Sequence, residues 1–358
     1  MGDRRIDRGF WAGRKVLVTG HMGFKGAWLT QLLSTLGATT TGYGRDQRKR
    51  LLYPELSIAR HEHHLGDLSE LDKLTWVLQQ SKAEVLFHLA AQPIVLTSYD
   101  DPVGTFEDNV MGTVKVLQAA RSAPDLKCVV IITSDKVYRN NGWIWGYRET
   151  DALGGHDPYS ASKAAAEIVT SAMAASFFDK PGMPRIATAR AGNVIGGGDW
   201  ADFRLLPDAA VALSQGKPLV VRNPASTRPW QHVLDPLGGY VMLAEELANS
   251  GQQPMSSWNF GPVAEDALPV HMIADLFVAE WGKDARWEKE DRSGAEPPKE
   301  ALLLAVDSTK AQQTLGWSPR WRVQEGVART SAWYRDYFAS NDPGTLVQRD
   351  IDAYLSQK

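Results

Sequence analysis

The chain has 358 residues, of which 43% are hydrophobic, and its 39 Lys and Arg residues nearly balance 42 Asp and Glu residues, for a formal charge of −3. This length suggests one large or two moderate domains with a substantial buried core. A weakly acidic chain has no global attraction for nucleic acid or for an anionic membrane, so we expect neither as a partner.

The sequence carries no targeting or metal-binding pattern. No apolar run reaches the roughly 20 residues that a membrane span needs, and the polar stretch from Met1 to Arg14 lacks the apolar core of a signal peptide. The single cysteine, Cys128, lies in an apolar run and cannot form an internal disulfide. His61, His63 and His64 cluster in what reads as a solvated loop. We therefore expect a cytoplasmic protein without a metal centre.

Strand and helix patterns alternate through the first half of the chain. Short apolar runs predict strands at 15–20, 39–43, 84–89, 129–133 and 185–189, and helical spacing of apolar residues predicts helices at 26–36, 71–80, 106–121 and 160–177. Continuous apolar strands are typical of a parallel sheet that helices cover on both faces. The sequence thus predicts an α/β fold of the Rossmann type, a doubly wound parallel sheet.

A smaller, mixed C-terminal lobe is predicted after about residue 193, where glycine and proline become frequent. Such lobes usually cover the carboxyl edge of the sheet, where ligands bind. The expected division assigns 10–192 and about 233–248 to the main domain, 193–232 and 249–340 to the second lobe, and 341–358 to a peripheral tail.

A glycine-rich turn follows the first predicted strand and opens the first predicted helix. This is the context of a dinucleotide-binding turn, because glycine lets backbone N–H groups and the helix N-terminus approach a pyrophosphate. The cofactor contacts expected from this turn are Gly20, His21, Gly23, Phe24, Lys25 and Gly26.

Further cofactor contacts are expected at the ends of later strands. At the end of the second strand, an acid holds the ribose 2′-OH of NAD and an arginine accepts the 2′-phosphate of NADP. Asp46 therefore favours NAD, while Arg45 leaves NADP open. Asp67 closes a further short strand that ends at 65–67, between the predicted strands 39–43 and 84–89, at the right distance to meet an adenine edge. The other predicted contacts are Tyr43, Leu68, Leu89, Ala90, Ala91, Gln92 and Thr133.

Tyr159 and Lys163 have the i, i+4 spacing that places two side chains on one helix face. An ammonium group about 4 Å from a phenol, at an effective dielectric of about 20, should lower the phenol pKa by about three units. Tyr159 could then deprotonate a hydroxyl group whose carbon gives hydride to nicotinamide. Ser134 is the expected third member, bonded to the reacting hydroxyl. Tyr159 and Lys163 are also predicted to contact the cofactor.

These motifs resemble the extended short-chain dehydrogenase/reductase family of NAD-dependent nucleotide-sugar epimerases and dehydratases. The resemblance covers roughly 10–337, and its most specific blocks are 21–25, 134–136, 146–149, 192–200 and 228–233. The pair Asp135 and Lys136 resembles the 4,6-dehydratases. The thymidine-linked members have Glu where this chain has Lys136, which is similar to the members that act on CDP-glucose.

This resemblance implies an NAD-dependent hydro-lyase that converts CDP-D-glucose to CDP-4-dehydro-6-deoxy-D-glucose in deoxysugar or O-antigen biosynthesis. Asp135 would protonate the departing C6 hydroxyl, and Lys136 would either remove the C5 proton or stabilise the enolate. The enzyme alternatives are a dehydratase of another nucleotide sugar (dTDP, UDP or GDP) and a nucleotide-sugar 4-epimerase. An NAD(P)-sensing binding protein is the non-enzyme alternative.

The resemblance also implies roles for residues outside the catalytic group. Asn193 and Arg228 match the family's diphosphate ligands, and Asn109 matches an asparagine near the nicotinamide or in a proton relay. A homodimer or homotetramer is expected by analogy. Further residues expected to bind substrate are Gln92, Arg204, Arg222, His232 and Asn259.

Overall fold

A computed structural model describes residues 4–45, 51–249, 255–291 and 303–357. Seven strands pair in parallel to form its main sheet: β1 (Lys15–Thr19), β2 (Thr39–Gly44), β3 (His61–Leu65), β4 (Val85–His88), β5 (Cys128–Ile132), β6 (Arg185–Ala191) and β10 (Met255–Phe260). Their spatial order is β3-β2-β1-β4-β5-β6-β10. The order reverses between β1 and β4, as in a doubly wound Rossmann-type sheet. The predicted fold class is confirmed.

Helices cover both faces of this sheet, as the apolar strands predict. Val16 and Val18 of β1 face one hydrophobic core, and Leu17 faces the other, because successive side chains of a strand point to opposite sides. The helices associated with the main sheet are α1 (Arg8–Trp11), α2 (Phe24–Thr35), α3 (Leu71–Ser81), α4 (Val95–Asp100), α5 (Pro102–Phe106), α6 (Gly112–Ala120), α7 (Pro158–Met173) and α9 (Leu234–Asn249).

Two smaller sheets lie beyond the carboxyl edge of the main sheet. One contains β7 (Asn193–Ile195), β9 (Thr227–His232) and β11 (Ala267–Pro269), and the other contains β8 (Leu219–Val221) and β12 (Trp287–Lys289). The remaining helices are α8 (Leu205–Ser214), α10 (Val270–Trp281), α11 (Val323–Phe338) and α12 (Pro343–Ser356). None of the helices in the described ranges is both long and apolar enough to cross a membrane.

The structure corrects the expected division of the chain in two places. Residues 255–260, which were assigned to the second lobe, form β10 at the edge of the main sheet beside β6. The tail predicted to be peripheral forms α12, whose Leu346, Val347 and Ile351 are buried in the main hydrophobic core. We propose the same two lobes with β10 moved to the main domain.

The histidine-rich segment is also different from its prediction. His61, His63 and His64 belong to β3, which pairs with β2 at the sheet edge, so the loop interpretation is wrong. The polar residues of this segment show no strand pattern in the sequence, because a strand at the edge of a sheet needs little apolar surface. In the part of the chain that the structure describes, no group of three or more His, Cys, Asp or Glu side chains could hold a metal ion.

Candidate active site

A cavity of about 1770 Å³ extends from the glycine turn, past the carboxyl ends of β4, β5 and β6, to β8 and α8. It therefore spans the switch point of the sheet and the second lobe. The predicted site residues that line it are Gly20, Gly23, Phe24, Lys25, Gly26, Arg45, Asp67, Leu68, Leu89, Ala90, Ala91, Gln92, Thr133, Ser134, Asp135, Lys136, Tyr159, Lys163, Asn193, Arg204, Arg222 and Arg228.

The glycine turn fits the pyrophosphate of a dinucleotide. Gly20 has φ +72°, and a Cβ there would lie 2.6 Å from the backbone nitrogen of Ala90, so no other residue fits without moving the end of β4. α2 begins at Phe24, and its N-cap residue Gly23 has no side chain to cap it, which leaves the first N–H groups of the helix without an intrahelical or capping acceptor. An anion at this helix N-terminus would satisfy them.

His21 and Tyr43 support this turn from behind and do not line the cavity. The His21 Nε2 atom is 2.7 Å from Nδ1 of His63, and burial together with neighbouring histidines lowers the pKa of His21 to about 3. Tyr43 is buried, and its hydroxyl donates to the Asp67 carbonyl oxygen at 2.8 Å. Neither side chain lines the cavity, and the predicted contacts of His21 and Tyr43 with a cofactor stay predictions.

Arg45 links two carboxylates at the end of the cavity next to β2. Its Nη1 donates to Oδ2 of Asp67 at 2.9 Å, and its Nη2 donates to Oδ2 of Asp108. Against the effect of burial, these carboxylates raise the pKa of Arg45. Asp46, the other residue predicted to select the cofactor, lies outside the described residues.

Asn109 has a supporting position that its prediction did not anticipate. It lies in a π-helical turn, Glu107–Met111, between α5 and α6, and it does not line the cavity. Its Oδ1 accepts from the backbone N–H of Gln92 at 2.8 Å, and its Nδ2 donates to the Gln92 carbonyl at 3.1 Å and to Oγ of Ser162 at 2.8 Å. It ties the segment after β4 to α7, and its predicted place near the nicotinamide or in a proton relay stays a prediction.

Three candidate catalytic residues follow β5 in a short 3-10 turn. The Ser134 hydroxyl accepts from the backbone N–H of Lys136 at 3.2 Å and donates to Oδ1 of Asp135 at 3.0 Å. Asp135 is 2% exposed, and its Oδ2 has no hydrogen-bond partner among the described residues. Burial raises the pKa of this carboxyl, although the charges of Lys136, Arg228 and Lys25 oppose the effect. Burial therefore makes this carboxyl a weaker acid than an exposed aspartic acid.

Tyr159 and Lys163 lie on the first turns of α7, which Asp157 caps by accepting from the Ser160 N–H at 2.8 Å. Burial raises the pKa of Tyr159, while a hydrogen bond with Ser134 lowers it. Desolvation of the phenolate is the largest cause of the shift in this pKa, and the depression expected from Lys163 is not among its main causes. Burial lowers the pKa of Lys163 itself to about 8, with Lys25 acting in the same direction.

Cationic side chains from the second lobe complete the cavity. Arg204 lies at the start of α8, Arg222 follows β8, and Arg228 belongs to β9. Arg222 donates to the Phe203 carbonyl at 3.0 Å. Together with Asn193 at the start of β7, these groups form a surface that suits a diphosphate, since guanidinium groups bind phosphate oxygens in pairs.

His232 and Asn259 were predicted to bind substrate, but neither lines the cavity. The His232 ring packs edge-on against Trp28 and Trp321, and burial lowers its pKa to about 3. The Asn259 amide donates to two backbone carbonyls and accepts from the Tyr138 hydroxyl. Each side chain is buried in the scaffold behind the site, and its predicted contact with substrate stays a prediction.

Several lining residues were missed by the sequence predictions. Asp108 directly precedes Asn109, and Asp199 follows the glycine run of block 192–200. The predictions therefore pointed to the right segments but to other residues within them. Asp208 also lines the cavity, and burial raises its pKa to about 6. It lies in α8, in a part of the second lobe where the sequence predicted no particular element, so no pattern pointed to it.

Comparisons with known proteins agree with this geometry. A family model for GDP-mannose 4,6 dehydratase matches residues 17–330. A CDP-glucose 4,6-dehydratase of Salmonella typhimurium is 44% identical over 98% of this chain and 99% of its own length. A UDP-glucose 4-epimerase of Mycolicibacterium smegmatis is 29% identical over 90% of this chain and 99% of its own length.

The fold also matches solved structures. A UDP-glucuronic acid 4-epimerase from Bacillus cereus, solved in complex with UDP-glucuronic acid and NAD, has a TM-score of 0.76 and 22% identity to this chain. The match covers 90% of this chain and 99% of that one. The chain therefore belongs to the GDP-mannose 4,6-dehydratase family, within the extended short-chain dehydrogenase/reductase enzymes that its motifs resemble.

Proposed function

We propose that this protein is a CDP-glucose 4,6-dehydratase, a hydro-lyase that converts CDP-D-glucose to CDP-4-dehydro-6-deoxy-D-glucose and water. The observation that carries the proposal is the buried Asp135 carboxyl beside Lys136 in the same cavity as Tyr159 and Lys163. Hydride transfer alone needs no such acid, whereas elimination of water does. The full-length similarity to a CDP-glucose 4,6-dehydratase supports the choice of substrate.

The cavity residues fit NAD as the cofactor. The uncapped start of α2 offers N–H donors to its pyrophosphate, and Gly20, which has no Cβ, lets the turn pack closely against Ala90. Asp67 and Gln92 also line the cavity. NAD, when bound, would accept hydride from C4 of the sugar and return it to C6.

Tyr159 is the proposed base for the C4 hydroxyl. Burial raises its pKa, so cationic neighbours and the hydrogen bond with Ser134 must stabilise the phenolate at the moment of proton transfer. Lys163, four residues later on α7, supplies a positive charge from within the buried site. Ser134 would hold the C4 hydroxyl in line with Tyr159.

Asp135 and Lys136 are proposed to carry out the elimination. After oxidation at C4, the neighbouring C5–H becomes acidic, and the C6–O bond breaks as the C5 proton leaves. Asp135 donates its proton to the departing hydroxyl, which leaves as water, and burial favours the protonated form beforehand because it raises the pKa of this carboxyl. Lys136 either removes the C5 proton and returns a proton to C5 when hydride adds to C6, or it stays charged and stabilises the enolate while that proton passes to and from solvent.

The second lobe is proposed to hold the nucleotide diphosphate. Arg228, Arg204 and Asn193 line the cavity between the reaction centre and β8, and Arg222 lies farther along. This arrangement would place the hexose over Tyr159 and the nucleoside against α8 and β8. A cytoplasmic location, where NAD and nucleotide sugars are available, is part of the proposal.

We also propose that the chain forms a homodimer or homotetramer through helices near α5–α6 and α7. Large apolar side chains are exposed there, which is typical of a surface that is covered in an assembly. These side chains are Val103, Phe106, Met111, Ile168 and Phe177. Light scattering coupled to gel filtration should give a mass of two or four chains.

The function is tested by incubating the protein with CDP-glucose, dTDP-glucose, UDP-glucose and GDP-mannose in the presence of NAD. We expect a 4-keto-6-deoxy product from CDP-glucose, seen as loss of one water by mass spectrometry, with no net accumulation of NADH. Formation of a 4-epimer alone would overturn the proposal in favour of an epimerase. Dehydration of another nucleotide sugar in preference to CDP-glucose would overturn the choice of nucleotide.

A further inference from the structure

Arg45 follows β2 at the edge of the sheet where a Rossmann-type protein meets the 2′ position of the adenosine ribose. An arginine at this place is ordinarily a sign of NADP, because a guanidinium can bind the 2′-phosphate with two parallel hydrogen bonds. In this chain both terminal nitrogens are already engaged. Nη1 donates to Asp67 at 2.9 Å, and Nη2 donates to Asp108.

This charge bridge, defined as Asp67–Arg45–Asp108, joins three separate segments. Asp67 follows β3, and its Oδ1 also accepts from the backbone N–H of Ser69 at 2.7 Å. Asp108 lies in the π-helical turn that Asn109 anchors. All three bridge residues line the cavity. The carboxylates are thus held by the scaffold, and Arg45 is the member that reaches between them.

The charges of the bridge oppose a 2′-phosphate. Two carboxylates and one guanidinium leave the bridge with a net negative charge, and a phosphate monoester adds about −1.5 to −2 at pH 7. To bind Arg45, the phosphate would have to displace at least one carboxylate and leave that carboxylate facing it. The neutral 2′-hydroxyl of NAD requires neither change.

The bridge is partly open to solvent, and this limits how strongly it can discriminate. The side chains of Arg45, Asp67 and Asp108 are 39%, 32% and 21% exposed. Partly exposed charges are screened by water and salt. We therefore expect NAD to bind tens of fold more tightly than NADP, and we expect this preference to weaken as the ionic strength rises.

We propose that the charge bridge converts Arg45 from a ligand of the NADP 2′-phosphate into part of an NAD-selective wall, with Asp108 as the residue that prevents Arg45 from binding phosphate. The proposal rests on the proposed function only in requiring that the cavity bind a nicotinamide dinucleotide. Asp108 is the better residue to substitute in a test, because Asp67 is also expected to contact adenine.

The test is direct titration of the cofactor-free protein with NAD and with NADP by isothermal calorimetry. We expect Asp108→Asn to tighten NADP binding by about tenfold or more and to change NAD binding less than about twofold. Asp72→Asn, on the exposed first turn of α3, is the matched control for loss of one negative charge. It should leave both affinities unchanged.

A double variant assigns the gain to the guanidinium. In Asp108→Asn combined with Arg45→Met, the tighter NADP binding should disappear. Persistence of the gain would overturn the role of Arg45, and an unchanged NADP affinity in Asp108→Asn, or equal NAD and NADP affinities in the wild type, would overturn the whole inference. If the wild type and every variant bind neither dinucleotide, the proposed cofactor site fails as well, and the two failures are thereby distinguished.

Discussion

Lys163 is a buried cation, and its burial affects the stability of the folded protein. It is 6% exposed, and its ammonium donates at 3.4 Å to the carbonyl of Ile132, while Glu167 is close enough only to oppose the shift of its pKa. Its pKa falls from 10.5 in the unfolded chain to about 8 in the folded protein. Between those pH values the unfolded state binds more protons, so stability increases as the pH rises through this window.

The first prediction follows from this difference. Lys163→Met keeps the length of the side chain and removes the buried charge, so it should raise the free energy of unfolding at pH 7 by about 3 kcal/mol, since the pKa falls from 10.5 to about 8 and one pKa unit corresponds to about 1.4 kcal/mol. Urea denaturation of wild type and variant at pH 7 and near pH 10 measures it, and the gain should shrink at the higher pH. An equal gain at both pH values would show that packing, and not charge, is responsible. Dehydratase activity should be lost in the variant.

A second prediction concerns Lys136, whose proposed role has two forms. Lys136→Met should reduce exchange of the C5 proton with solvent by about a hundredfold or more, because a general base or an electrostatic stabiliser typically contributes about that much. Exchange is followed by NMR in deuterated buffer with CDP-glucose and NAD. Lys136→Arg is the matched control: it keeps the charge but cannot lose a proton, so it should retain exchange only if Lys136 acts as a charge. Undiminished exchange in Lys136→Met would contradict both forms.

At the scale of elements, the π-helical turn between α5 and α6 determines which residues of this helical segment face the active site. One inserted residue in a helix shifts its faces, and here the shift places Asn109 over the backbone of Gln92 and Asp108 next to Arg45. Apolar spacing predicted a single helix over 106–121, whereas the structure has α5, the π-helical turn and α6 from residue 102. A single inserted residue leaves too weak a mark on the apolar period to be read from the sequence.

The third prediction tests this turn. Asn109→Ala removes three hydrogen bonds and leaves the N–H and carbonyl of Gln92 without their partner. We expect a loss of about 1–3 kcal/mol in the free energy of unfolding, together with a weaker affinity for NAD because the segment after β4 lines the cofactor end of the cavity. Thermal denaturation and calorimetric titration measure the two effects. Glu107→Gln, exposed in the same turn, should change neither.

At the scale of the whole molecule, the last helix joins the N-terminal half of the fold to its C-terminal half. α12 packs against α11 and α2, and Gln348 accepts a hydrogen bond from Gln31 of α2 at 2.9 Å. Ile351 is fully buried in the same core as the strands of the main sheet. The helix that carries the glycine turn is therefore supported from behind by the C-terminal segment.

The fourth prediction is that Ile351→Ala lowers the free energy of unfolding by about 2–4 kcal/mol, because truncation of a buried aliphatic side chain leaves a cavity. Ser356→Ala, exposed at the end of the same helix, should change it by less than about 0.5 kcal/mol. Chemical denaturation of both variants checks this. A small effect of Ile351→Ala would mean that α12 is peripheral, as its polar sequence suggested.

Local patterns in the sequence determined five strands of the main sheet (β1, β2, β4, β5 and β6), the glycine turn and the pairing of Tyr159 with Lys163. Each depends on periodicity or sterics within a few residues, such as the absence of a Cβ at Gly20 or the spacing of side chains on one helix face. The prediction that both residues lie at the cavity with Ser134, Asp135 and Lys136 needed only the rule that strand ends meet at one edge of a parallel sheet.

Only the tertiary structure decided how readily the site's titratable side chains ionise and which of its polar atoms already have partners. Burial raises the pKa of Tyr159 where spacing alone predicted a decrease, and it leaves an oxygen of Asp135 without a partner among the described residues. Arg45 reads as a phosphate ligand in the sequence, but Asp108, sixty-three positions away, engages it. The reason is physical: desolvation and charge pairing depend on which distant segments pack together, and no local pattern contains that information.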